Sequence, residues 1–123
     1  MQTSVTVNSE LRWNDGGLDI REGQTVRITA SGEWTDDWIR TTPEGFDRPW
    51  LNPLKFMRRL PSAPWFCLCA TIDKMKRPIH RIGTSGEFVA GRSGHLWLFA
   101  NDTWLFYFNN DGSITASITV SDP

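Results

Sequence analysis

The chain has 123 residues, 13 of them basic and 14 acidic, for a formal net charge of -1. That is one domain, residues 1–123, long enough to bury a core without help from a disulfide or a metal. The balanced charge argues against nucleic acid or an anionic membrane as partner. No apolar run approaches the ~20 residues of a membrane span, so no membrane insertion is predicted.

Val5 and Val7 alternate with polar residues and predict a first strand, which Leu11 and Trp13 extend. Asn14-Asp15-Gly16-Gly17 reads as a turn by composition. Leu18 and Ile20 alternate again, and Glu22-Gly23-Gln24 turns the chain. Thr25–Ser31 is the clearest half-buried strand, with Val26, Ile28 and Ala30 inward and Gly32 at its end. From Glu33 to Pro64 the pattern dissolves among five prolines and scattered aromatics. A loop that long in a compact domain is usually functional. One helical turn is predicted within Lys55–Leu60.

Trp65–Ile72 reads as a buried strand, followed by a turn or edge over Asp73–Pro78. Short strands are expected at Ile79–Ile82 and Glu87–Ala90, with turns at Gly83–Gly86 and Gly91–Gly94. His95–Ala100 is apolar enough to be buried on both faces. The alternation of Ile114, Ala116, Ile118 and Val120 with Ser and Thr closes the chain. Many short strands, regular turn signals and no amphipathic helix predict an all-β sandwich or barrel.

Several chemistries lack their residues. The two histidines, His80 and His95, read as a surface residue and a packed or edge residue. No serine elbow, phosphate loop or Cys-His signature is present. Asp36-Asp37 is a carboxylate pair, but neighbours on a strand diverge, so a glycosidase-type pair is a poor fit. Cys67 and Cys69 read as two buried small residues rather than a bridge or a metal pair. Arg58-Arg59 and the Lys74, Lys76, Arg77 group are the densest basic patches and read as solvated surface.

One constellation remains. An apolar strand ends in Asp102, and Asn109-Asn110 follows seven residues later, before the last strand. Oxygen side chains at the ends of two strands can converge, and hard cations such as calcium take six to eight such oxygens. The pattern is not an EF-hand, which needs oxygens at alternate positions. Asn110-Asp111-Gly112 is also a hairpin turn signal.

The same residues resemble the small bacterial galactose-binding lectins of the PA-IL type, the LecA-like lectins. Gly94-x-Leu96-x-Leu98-x-x-Asn101-Asp102 and Asn109-Asn110-x-Gly112-Ser113 carry most of the likeness. Val26-x-Ile28-x-Ala30-x-Gly32-x-Trp34 and Pro43-x-Gly45-x-Asp47-Arg48 add to it. The resemblance implies a jelly-roll-like β-sandwich of two curved antiparallel sheets, similar to galactose-binding domains. It implies a Ca2+ ion held by the side chains of Asp102, Asn109 and Asn110 and by the carbonyls of Phe106 and of a residue near Asp37. It implies that two sugar hydroxyls complete the metal shell, and that the protein is a homo-oligomer, dimer or tetramer.

Two departures from the pattern stand out. Thr103-Trp104-Leu105-Phe106-Tyr107-Phe108 is bulky where the family's loop is small, and it could present Trp104 or Tyr107 to a ligand or bury against a neighbouring subunit. The family's sugar-reading His and Gln are missing, and Trp50 stands near the place of that His. The expected sugar-binding residues are Asp102, Asn109, Trp50, Asp47 and Trp104. The expected function is a calcium-dependent galactoside-binding lectin without catalysis. The alternatives are a protein-interaction module or an accessory domain of an enzyme. Polar Gln2-Thr3-Ser4 after Met1 shows no secretory leader. The expected location is the cytoplasm, or outside by another route, unless the sequence is a domain excised from a longer chain.

Overall fold

The computed structural model describes residues 1–123. Eleven strands run in chain order: β1 (Gln2–Asn8), β2 (Asn14–Ile20), β3 (Thr25–Gly32), β4 (Trp34–Asp36), β5 (Ile39–Thr41), β6 (Leu68–Ile72), β7 (His80–Arg81), β8 (Ser85–Val89), β9 (Gly94–Ala100), β10 (Asn110–Asp111) and β11 (Ser113–Ser121). A 3₁₀ segment, Pro49–Met57, lies between β5 and β6, and a single 3₁₀ turn, Tyr107–Asn109, precedes β10.

The strands form two four-stranded sheets, ordered β1-β11-β3-β8 and β2-β9-β6-β7, and a small sheet ordered β10-β4-β5. Every pairing is antiparallel. This is the predicted all-β sandwich. Alternation sets its inner faces: β11 buries Ile114, Ala116, Ile118 and Val120 and exposes most of the residues between them. These pack with Val26 and Ile28 of β3 in one core with Leu18, Ile20, Leu68, Leu96 and Leu98 of the facing sheet. Central strand β6 is buried at all five positions, which a strand covered on both faces requires.

Four sequence expectations change. Asn14–Gly17 is strand rather than turn, because the pair β2–β9 absorbs its glycines in a register shift between Asp15 and Asp19. A Cβ on Gly16 would stand 2.8 Å from both Cγ and the carbonyl oxygen of Leu96, so only glycine lets the two strands approach there. Leu11 and Trp13 lie outside β1, and Leu11 is exposed. The long loop after Gly32 contains a hairpin, β4–β5, and its helical turn is the 3₁₀ segment Pro49–Met57 rather than Lys55–Leu60. His80 is half-buried, stacked on Phe88 with ring centres 3.8 Å apart.

Cys67 and Cys69 are buried and free, as expected. His95 lies near the start of the inner strand β9, its ring nitrogens 2.5 Å from Asp15 Oδ1 and 2.8 Å from Asp19 Oδ1 on the neighbouring β2. Both carboxylates raise its pKa, Asp15 first.

Candidate functional site

Three segments meet at one end of the sandwich. Strand β9 carries the chain out of the core into Asn101 and Asp102, both buried. The two-residue strand β10 pairs with β4 so that Asn110 stands opposite Asp36. Strands β4 and β5 are joined by Asp37 and Trp38, with Asp37 in the left-handed region at φ 56°, a conformation that Asp tolerates better than most residues. The main chain of Asp37 donates to the Asn109 carbonyl at 2.9 Å, which ties the hairpin to the segment before β10.

Asn101 anchors this end. Its fully buried carboxamide accepts from Leu60 N at 2.9 Å. It also donates to the carbonyls of Leu60, Ala63 and Pro64 at 2.9, 3.1 and 3.0 Å. The Arg59 amide donates to the Asp102 carbonyl at 3.1 Å. One loop, residues 58–64, is thereby pinned along the end of β9.

The side-chain oxygens predicted to converge share one property. Asp102 Oδ1 accepts from the Thr103 amide at 2.7 Å, but Oδ2 is buried with no partner. Asn110 Nδ2 donates to the Ser9 carbonyl at 2.8 Å. A carbonyl can only accept, so this bond fixes the amide orientation and leaves Oδ1 over. Asn110 Oδ1 is buried and unpartnered, and so is Asn109 Oδ1. The Asp37 carbonyl accepts no main-chain hydrogen bond, and the Phe106 carbonyl accepts only a long one, 3.5 Å from Asn109 N.

Of these residues, Asp37, Asp102, Phe106 and Asn109 border a cavity of about 190 Å³; Asn110 does not line it and stands opposite Asp36. Asp36, Asp37, Asp102 and Asn109 form its polar end; Trp38, Trp50, Leu51, Leu54 and Phe106 are among its apolar walls. Burial raises the Asp102 pKa to about 6, against the lowering effects of the Thr103 amide, the nearby Asn110 carboxamide and Arg59. Although Asn110 is close enough to act on Asp102, no hydrogen bond of ordinary geometry joins them. Asp36 is pushed up to about 7, by burial first and then by the charges of Asp102 and Asp37.

The cavity is therefore a place where negative charge and oxygen lone pairs are buried without compensation. One carboxylate, two carboxamides and two main-chain carbonyls are all oxygen donors, and a site that used them would suit a hard cation such as calcium. No group of three or more His, Cys, Asp or Glu side chains converges as a metal site of the carboxylate-rich or histidine-rich kind.

The other sequence candidates are distributed unevenly. Trp50 lines the cavity from the 3₁₀ segment and is 60% exposed. Asp47 does not line it; its carboxylate pairs with Arg58 at 2.8 Å. Trp104 faces a different groove and stacks edge-on against Trp13, ring centres 5.7 Å apart. Tyr107 is not presented to a ligand. It is buried, donating to the Ala100 carbonyl at 2.6 Å and accepting from Arg59 Nη1 at 2.7 Å. Sequence reasoning had passed over Asp36, whose signal was the Asp36-Asp37 pair. As a sequence the pair reads as a poor acid–base couple, and a two-residue partner strand is too short to reveal that Asn110 lies opposite.

No protein-family model matches the sequence, and no curated protein sequence matches it either. Among solved structures, the chain is similar to the N-terminal domain of EclA, described as a PllA-like lectin. The two superpose with a TM-score of 0.71 over 96% of this chain and 95% of that one, at 18% sequence identity. This chain shares the fold of that domain.

Proposed function

We propose that the protein is a calcium-dependent, non-catalytic carbohydrate-binding lectin for galactose-containing glycans. The observation that carries this reading is the set of three buried, unpartnered oxygens on Asp102, Asn109 and Asn110. Most buried polar atoms in a folded protein have a partner, so three orphans in one region ask for a group that binds oxygen. Asp102, Asn109 and Asn110 would hold calcium by side chain, and Asp37 and Phe106 by main-chain carbonyl. A calcium ion so held has positive charge to spare and can take two neighbouring sugar hydroxyls in place of water.

The chain's own residues do the rest. The Asp102 carboxylate accepts a hydrogen bond from a sugar hydroxyl, and the Asn109 carboxamide can accept or donate one. Trp50 offers an indole face to the sugar ring, and Leu51 and Leu54 keep water from the apolar side. The similarity to a protein described as a lectin supports glycan binding as a class. The galactose preference rests on the sequence resemblance.

Homo-oligomerisation, as dimer or tetramer, belongs to the same reading and would raise avidity for clustered glycans. A protein-interaction module is the second reading. It draws on the exposure of Leu105 (68%) and Phe108 (82%) in the loop that also carries Phe106 to the cavity. Calorimetry decides between them. Chelator-stripped protein titrated with calcium, then with galactosides, should show calcium uptake and calcium-dependent sugar binding. An array on which no glycan binds in a calcium-dependent way would select the interaction module.

A further inference from the structure

Two basic stretches far apart in sequence meet in one groove. Arg58, Arg59, Lys76 and Arg77 all line a hollow of about 290 Å³, near the lower end of the volumes that hold small ligands. The expectation of solvated surface holds for Lys76 and Arg77, which are exposed, but not for Arg58, which is buried, or Arg59, which is half-buried. Two of the groove's walls are Trp13 and Trp104, and no carboxylate lines it. Met57 borders both this groove and the oxygen-lined cavity, so the two hollows are neighbours.

The charges here are poorly compensated. Arg58 pairs with Asp47. Arg59, Lys76 and Arg77 form no ion pair. The Arg59 guanidinium lies 3.4 Å from the ring centre of Phe99, 4.1 Å from that of Trp104 and 4.4 Å from that of Trp13. Its Nη1 donates to the Arg12 carbonyl and to Tyr107 at 2.7 Å each, while Nη2 is buried without a partner. Aromatic faces hold a cation in place, but they do not satisfy its hydrogen bonds or its charge. Three cations without an acidic partner around one hollow make it attractive to an anion.

We propose that this groove binds an anionic group, a sulfate ester or a carboxylate, carried on a saccharide that also reaches the neighbouring cavity. The anion follows from the groove itself; that it is borne by a saccharide rests on the lectin reading above. The shared Met57 wall makes one ligand spanning both hollows possible. A polyanion such as nucleic acid fits poorly, because the groove is small and the chain as a whole carries a net charge of -1.

The test uses lactose, sulfated lactose and sialyllactose on the calcium-loaded protein at low ionic strength, by calorimetry and by the NMR shifts of the Trp13 and Trp104 indole N–H groups. At least one anionic lactose should bind about tenfold more tightly than lactose. That advantage should shrink as salt is added. Which anionic lactose gains identifies sulfate or carboxylate as the group read. Lys76→Gln/Arg77→Gln should remove the advantage and leave lactose affinity unchanged. Both side chains are exposed, so a melting curve should confirm an intact fold. Equal binding of neutral and anionic lactose to the wild type, or an advantage that survives in the double variant, overturns the proposal. Failure of lactose itself would count against the lectin reading instead. In that event the groove is decided in chelator. Indole shifts with an anionic lactose that vanish in the double variant uphold an anion site, and no shift overturns it.

Discussion

The cavity beside Asp102 and the groove around Arg59 share one methionine and have opposite chemistry. In the cavity, oxygen atoms are buried with too few donors; in the groove, guanidinium and ammonium groups gather with too few acceptors. The two were built differently. The oxygens come from the end of β9 and from the separate small sheet in which β10, β4 and β5 pair through the main chain. The cations come from a loop, residues 58–64, and a turn before β7, held by aromatic faces and by Asn101. An excess of donors beside an excess of acceptors is what the two proposed ligands, a cation in the cavity and an anion in the groove, would complete.

The largest expected effect is at the cavity. Asp102→Asn removes the only side-chain charge of the donor set, and calcium affinity should fall at least about a hundredfold. The fold should hold, since a carboxamide can still accept from the Thr103 amide. Calcium titration followed by melting in chelator checks both statements. Undiminished calcium binding in this variant would move the metal site elsewhere. Anion binding in the groove should be untouched, which makes the variant the sharpest separation of the two hollows.

Asn101→Ala should break both at once. It strips hydrogen bonds from the main chain of Leu60, Ala63 and Pro64, which hold the loop bearing Arg59 against the strand end bearing Asp102. Leaving such groups unsatisfied costs about 1–3 kcal/mol each, so a loss of roughly 3 kcal/mol or more in unfolding free energy is expected. Denaturant titration measures it. A loss under about 1 kcal/mol would mean that the loop is held by other contacts.

The pH dependence of the calcium-free protein comes next. Asp102 is raised to about 6 and Asp36 to about 7, both chiefly by burial. A group whose folded pKa is raised contributes stability that is fully present below its unfolded value, near pH 4, and lost as pH rises through the folded value. In chelator the protein should therefore melt lower near pH 8 than near pH 5, by on the order of 5 °C. His95, also raised, contributes with the same sign, losing its share as pH rises above its ordinary value. Asp102→Asn isolates the cavity's part of the difference and should reduce it. Calcium should restore the lost stability near pH 8 and do little near pH 5, where protons compete for the carboxylate. His80, lowered by burial, works the other way and gains stability as pH rises, so the burial of these carboxyls is contradicted if Asp102→Asn leaves the difference between pH 5 and pH 8 unchanged.

How far the sequence foresaw this differs between the two hollows. The sandwich was legible in the alternation of β3 and β11 and in the turn signals between short strands. Asp102, Asn109 and Asn110, whose buried oxygens lack partners, stood out in the sequence because they flank one loop, seven and eight positions apart, and because the motif resembles a known family. Asp36 was hidden by a pairing too short to leave a pattern. Arg58-Arg59 and Lys76-Arg77 were visible as charges, but nothing local says that a loop before β6 and a turn after it fold onto the same Trp104. Trp104 itself was assigned to the sugar rim. Its neighbour in sequence, Thr103, does line the cavity, while its own ring turns to Trp13 and Arg59.

That placement yields the smallest and most discriminating pair of effects. Trp50 lines the cavity and Trp104 the groove, and neither is a proposed calcium ligand. Trp50→Ala should weaken neutral galactosides about threefold to tenfold, the loss of one stacking face of roughly 1 kcal/mol, and leave calcium affinity unchanged. Trp104→Ala should leave lactose nearly unaffected, because its ring does not face the cavity. It frees Arg59 from one of its aromatic faces, so the extra affinity for an anionic lactose should drop by a similar few-fold factor. The crossed outcome is informative. If Trp104→Ala weakens lactose as much as Trp50→Ala does, the two hollows act as one pocket. Met57 would then be a floor under a single ligand rather than a wall between two sites.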